Sequence, residues 1–184
     1  AAKLIGDAKY APAFTKLVAL LEDASPKVQF FAAEAVGKLG DKNAFQPLVN
    51  LLEKVAESDP HLRHAVMYAL SRLNIANSIA ELANHPSKYV RIGAVVALRM
   101  MQSPKVADFL NDTEALVLAE AARAINDDFS IPDALPALAN ALDRTEIKNE
   151  AFIRRAINAN LRMANATNAL RLAKYANTKG VPEN

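Results

Sequence analysis

The sequence predicts an all-α fold made of stacked helix pairs. Three observations carry this reading. Alanine, the best helix former and small enough for close helix packing, is very abundant. Glycine is scarce, with 5 in 184 residues, and tryptophan is absent. The chain is also similar to itself, which is the mark of a repeat architecture.

The copies fall into two series. The A segments are PAFTKLVALLE, NAFQPLVNLLEKVAE, IANSIAELANH, PKVADFLND, IPDALPALANALD and TNALRLAKYAN. The B segments are SPKVQFFAAEAVGKLG from Ser25, DPHLRHAVMYALSRLN from Asp59, SKYVRIGAVVALRMMQ from Ser87, TEALVLAEAARAIND from Thr113 and AFIRRAINANLRM from Ala151. In the second B segment Leu62, Ala65, Val66, Ala69, Leu70 and Leu73 recur at helical spacing and form one buried stripe. The expected apolar anchors are Val28, Leu62, Val90, Leu116 and Ile153. Their spacing of roughly 25 to 40 residues suits helical-pair repeats.

Start and stop signals agree. Ser25, Asp59, Ser87 and Thr113 stand where an N-cap oxygen would meet free amides, and Pro26 and Pro60 suit the first helical turn. Gly40-Asp41 reads as a helix stop, and AAKLIGD at the start is matched with AVGKLGD from Ala35. The glycines read mostly as stops. The chain opens inside this pattern and without Met, which reads as a piece of a longer protein from which any export signal has been removed.

These segments follow an LL-x-D/S-P-x-V-R-x-x-A-x-x-A-L-G pattern and resemble the HEAT repeat, particularly its short bacterial form. The matching pairs are Leu62-Arg63, Val90-Arg91 and Ile153-Arg154; Ala33, Ala69 and Ala97 match the small residues, and Pro47 and Pro136 the helix-A proline. Gln29 departs from the expected arginine, and the fourth A segment is short. The resemblance implies a right-handed α-α superhelix of about five to six helical pairs over residues 1–177, followed by a tail over 178–184. Glu120 to Asp143 and Phe152 to Met163 further resemble the HEAT segment of large bacterial exported proteins that also carry a sugar-dehydrogenase-like β-propeller and a c-type cytochrome domain. That resemblance would place the chain outside the cytoplasm and put catalysis and heme in other modules.

The residues present narrow the chemistry. With no cysteine there are no thiolate zinc sites, no CxxC redox pair and no CxxCH heme attachment. No GxSxG, HExxH or glycine-rich phosphate loop occurs. No apolar run reaches the roughly 18 residues of a membrane span. His61 and His64 lie one helical turn apart, but a metal site needs three or four protein ligands, and only His85 remains. The other copies carry no histidine at these positions, so both read as surface residues. Asp127-Asp128 reads as a cap for the helix that follows. No cofactor and no metal are expected.

Charge gives the remaining signal. The B segments carry Lys27, Lys38, Arg63, Arg72, Lys88, Arg91, Arg99, Arg123, Lys148, Arg154, Arg155 and Arg162 against Glu34, Glu114, Glu120 and Glu150. The A segments lean acidic, and the net charge of +2 hides the difference. In the HEAT family the B helices line the concave face, so the resemblance implies a mildly basic inner surface suited to an acidic partner. The expected contact residues are Gln29, Arg63, Met67, Arg91, Val95, Arg154 and Asn158. The arginines at 63, 91 and 154 form an expected ladder, either bridging repeats to turn aspartates such as Asp59 or binding a partner. Asn160, aligned with the small Ala69 and so expected to face the helix interface, needs a partner for its amide, in neighbouring backbone or in another module.

The expected function is a non-catalytic scaffold that binds a protein partner or holds flanking domains of the same chain. Two alternatives stand beside it: an accessory domain of a membrane-bound or periplasmic dehydrogenase, and a nucleic-acid binder using the basic face, as in the architecturally similar alkylpurine DNA glycosylases. Near-neutral charge and sparse aromatic residues disfavour nucleic acid. HEAT-like bilin lyases act with partner chains, and nothing here marks a bilin site.

Overall fold

The computed structural model describes residues 1–55 and 57–178. It is all helical, with no strand among the described residues. The α-helices are α1 Ala2–Asp7, α2 Phe14–Ala19, α3 Pro26–Leu39, α4 Phe45–Val55, α5 Pro60–Arg72, α6 Ala76–Glu81, α7 Lys88–Met100, α8 Ala115–Asn126, α9 Leu135–Asn140, α10 Glu150–Met163 and α11 Ala166–Ala176. Short 3-10 turns flank the A helices, and the fourth A segment is itself a 3-10 helix, Pro104–Asn111. The chain divides into two compact units, Ala1–Met101 and Gln102–Asn184, each with its own core. Of the expected tail, residues from 179 on lie outside the described residues.

In the first unit α1, α3, α5 and α7 pack side by side as the B layer, and α2, α4 and α6 back them. Small residues set the B-layer spacing. A Cβ on Gly37 would lie 2.7 Å from Ala69 Cα, and one on Gly6 would lie 2.6 Å from Ala35 Cα. Among the described glycines only Gly40, at φ 70°, is a helix stop; Gly6, Gly37 and Gly93 lie inside helices. Gly6 therefore matches Gly37, not Gly40, and Lys9, left-handed at φ 49°, takes the stop position after α1. Ala35, not Ala33, is the counterpart of Ala69. In the second unit α10 packs on α8 and α9, and α11 lies against α10.

The five complete B helices share one frame. Each begins from an extended N-cap: Ser25, Asp59, Ser87, Glu114 and Asn149. The third residue after each cap is the anchor: Val28, Leu62, Val90, Val117 and Phe152. All but the half-buried Val28 are core residues. A left-handed residue closes each helix at the same interval: Gly40, Asn74, Gln102, Phe129 and Ala164. This frame corrects the expected anchors in two copies by one residue. Leu116 is 60% exposed whereas Val117 is fully buried, and the last anchor is Phe152, not Ile153.

The cap chemistry also differs from expectation. Asp59 accepts from the amides of His61 and Leu62, but Ser25 and Ser87 accept from neither of the first helical amides. Thr113 precedes the actual cap. In three copies the acceptor sits two residues before the cap: Asp23 takes the Ser25 amide at 2.8 Å, Asp112 the Glu114 amide at 2.8 Å, and His85 Nδ1 the Ser87 amide at 3.1 Å. Each closes an Asx-type turn that aims the chain into the helix.

Candidate functional site

The corrected frame decides where the expected contact residues lie. Gln29, Arg63 and Arg91 occupy the position after the anchor, which in the last two copies holds Leu118 and Ile153. Arg154 is one place further on, so the three arginines do not form a ladder. Arg91 is 9% exposed and donates to the carbonyls of His85 at 2.7 Å and Pro86 at 3.1 Å, tying α7 to the turn before it. Arg154 is exposed and meets Glu150 of its own helix at 3.6 Å. Gln29 and Arg63 are half-buried. Met67, 7% exposed, and Val95, 0% exposed, belong to the core and do not project from it. A side chain on a helix covers the turn N-terminal to its own Cα, so a slip of one position exchanges core for surface.

The open face of the B helices lies one position later. In the first unit it runs through Phe30 and Glu34 on α3, His64 and Tyr68 on α5, and Ile92 and Val96 on α7, all partly or fully exposed. In the second unit the same positions hold Ala119, Arg123, Arg154 and Asn158. Of the expected contact residues, only Arg154 and Asn158 stand on this row. The signal that locates it is the cap-to-stop interval, which fixes the frame where apolar matching alone slips.

On α5 the row is polar and ordered. His61, His64, Tyr68 and Arg72 are all exposed along one stripe. Arg72 Nη1 donates to the Tyr68 hydroxyl at 2.7 Å, with its guanidinium 5.3 Å from the ring centroid. No group of three His, Cys, Asp or Glu side chains able to hold a metal occurs among the described residues. An apolar cleft of about 220 Å³ opens at the head of the stripe, lined by Pro26, Lys27, Phe30, Phe31, Asp59, His61 and Leu62. Phe30 and Phe31 meet edge to face at 5.4 Å. A second apolar cleft, about 390 Å³, lies on the other side of α3 between Lys3, Leu20, Val28 and Phe31.

Several arginines of the second unit bridge its helices. Arg155 holds Asp127 with two bonds of 2.8 and 2.7 Å. That hydrogen bond lowers the Asp127 carboxyl below its ordinary range, helped by Asn126 and the Arg155 and Arg123 charges and opposed by burial. Arg162 donates to the Asn126 carbonyl at 3.0 Å and stacks 3.8 Å from the Phe129 ring centroid. Asp127 thus joins α8 to α10, in place of the expected cap for the next helix.

Asn160 also moves in the corrected frame. Its counterparts are the core residues Val36, Leu70, Leu98 and Ile125, not Ala69. At 1% exposure, its amide donates to the carbonyls of Ala139 at 2.9 Å and Ala156 at 2.8 Å. Its oxygen accepts from Asn168 at 2.9 Å and from Arg171 at 3.2 Å, and Arg171 also holds Asp143 at 3.0 Å. The amide is satisfied inside the unit, by backbone and by α11.

No helix among the described residues is long and apolar enough to cross a membrane. Comparison with curated proteins gives no match. The family profile of HEAT repeats matches residues 14–79, from α2 into α6, the stretch that contains the cleft and the α5 stripe, and the fold is that of an all-α HEAT-like solenoid.

Proposed function

We propose that the chain is a non-catalytic interaction module whose open B-helix row contacts a protein partner or a flanking domain of the same polypeptide. HEAT repeats are helical scaffolds typically used for protein interaction. The observation that carries the reading is the frame itself. It leaves the same two B-helix positions partly or fully exposed in every copy, while the anchor side of each helix carries the core, so successive copies offer side chains that are free to vary without loss of core. A photo-crosslinker at Tyr68 or Asn158 of the full-length protein is expected to capture a partner or flanking domain, and one at Glu53 on α4 is not. Capture at Glu53 with none at Tyr68 or Asn158 overturns the assignment.

The multidomain setting rests on the resemblance of residues 120–143 and 152–163 to exported bacterial proteins. A propeller or CxxCH segment in the same reading frame supports it, and a stand-alone frame overturns it.

A further inference from the structure

We infer that the larger apolar cleft of the first unit, about 390 Å³ beside Lys3, Leu20, Val28 and Phe31, is filled by a helical segment that precedes Ala1 in the full-length polypeptide and completes α1 as a B helix. The cleft lies off the open row, since neither Val28 nor Phe31 stands on it. Its occupant is therefore a second contact, separate from the partner of the row.

The helical frame places the segment. A Cβ on Gly6 would meet Ala35 as one on Gly37 would meet Ala69, and Lys9 takes the left-handed stop that Gly40 takes after α3. So α1, Ala2–Asp7, is the closing half of a B helix. The interval from Ser25 to Gly40, counted back from Lys9, puts the cap of that helix seven residues before Ala1 and its anchor four residues before Ala1. The residues between that cap and Ala1 make nearly two turns of helix.

Exposure agrees with the frame. Leu62, Val90, Val117 and Phe152 are no more than 1% exposed, and Val28 alone of the five anchors is half-buried. One copy on, Phe30 and Phe31 from the opening turns of α3 line the smaller cleft, about 220 Å³, together with Leu62. The corresponding turns of the α1 helix are those placed before Ala1. Where they belong, the cleft is about 390 Å³ and Val28 is uncovered. Ala1, Ala2 and Lys3 form one side of this cleft, so a continuation of α1 enters it directly. It would extend the surface on which α1 already packs against α3, and the apolar area it removes from water favours it. Its anchor should be Val, Leu or Phe, as in the five complete copies.

Thiol labelling tests this, because residues 1–184 contain no cysteine and mass spectrometry of a digest reads each site separately. In the full-length polypeptide Val28→Cys should react with a maleimide at least about tenfold more slowly than in the chain starting at Ala1. Lys16→Cys, exposed on α2, should react alike in both. Asp at the position four residues before Ala1 should return Val28→Cys to within about twofold of the shorter chain. Slow labelling of Val66→Cys, in the core, verifies that the unit stays folded; where it too turns reactive, alanine replaces Asp with the same expectation. Val28→Cys that labels equally fast in both chains overturns the proposal. Protection that survives the anchor substitution also overturns it, since another segment then covers the cleft. A charged residue at the anchor position, or a proline in the two residues before Ala1, overturns it from the gene alone. Crosslinking at Tyr68 is independent of these results, because Tyr68 does not line the cleft.

Discussion

Replacing Gly37 by alanine sets helix propensity against helix spacing. Alanine favours an exposed helix by about 1 kcal/mol over glycine, so α3 taken alone would gain. In the fold the new methyl would lie 2.7 Å from Ala69 Cα and 3.0 Å from Ala69 Cβ. Both belong to the α5 backbone or its first side-chain atom, which cannot rotate away. The helices must separate by roughly 1 Å to restore van der Waals contact, loosening the packing around Val36, Ala65 and Leu70. Overpacking of this kind costs about 1–3 kcal/mol, and after the propensity gain a net loss of about 1 kcal/mol remains. For a unit near 100 residues that lowers Tm by about 4–8 °C. Gly93 is the control. Its added Cβ would meet the Leu52 side-chain tip at 2.5 Å, and that tip can turn. Gly93→Ala should therefore be close to neutral. Thermal and urea melts followed by circular dichroism decide it. A Gly37→Ala protein as stable as wild type, or a Gly93→Ala protein less stable than Gly37→Ala, refutes the spacing argument.

Asn160→Ala should cost about 2–4 kcal/mol in urea unfolding, because the Ala139 carbonyl and the Asn168 amide lose their partner inside the core; N160L/N168L should recover most of that loss. Ala164→Gly should raise stability by about 0.5–1 kcal/mol, since Ala164 closes α10 at φ 46° and glycine adopts that backbone without penalty. Asp127→Asn removes the two-bonded pair with Arg155, worth about 0.5–1 kcal/mol at a partly exposed site. The Asp127 carboxyl titrates below its unfolded value, so its contribution is complete above about pH 5 and fades as pH falls below about 4. The urea-midpoint gap between wild type and Asp127→Asn should therefore narrow as pH falls below about 4, and a gap that stays constant through that range would contradict this role.

The helix pairs were legible because periodicity, proline and caps agree along most of the chain. Leu62 to Leu73 shows this best: every residue expected on its stripe is buried. The binding row was less legible, for a physical reason. Leu116-Val117-Leu118 and Phe152-Ile153 are apolar runs in which any of several residues can serve as anchor by hydrophobicity alone. A one-residue slip there turns Arg154 into a ladder member and moves Asn160 from a large aliphatic core position to a small one. Gly6 pairs with the stop Gly40 in sequence because a glycine that admits a neighbouring helix and a glycine that ends one look alike there. Only the packing of Ala35 against Gly6 and of Ala69 against Gly37 separates the two cases.

The constant cap-to-stop interval of the B helices has a consequence for how this chain can change length. From Ser25 to Gly40, Asp59 to Asn74, Ser87 to Gln102, Glu114 to Phe129 and Asn149 to Ala164 the count never varies, so all difference in repeat size falls between a stop and the next cap. Insertions and deletions should be tolerated in the A segments and their turns, for example around Lys42 or Glu146, and rejected inside the B helices. That makes the A side the natural place to graft a tag, a spectroscopic label or a loop while the open row keeps its spacing.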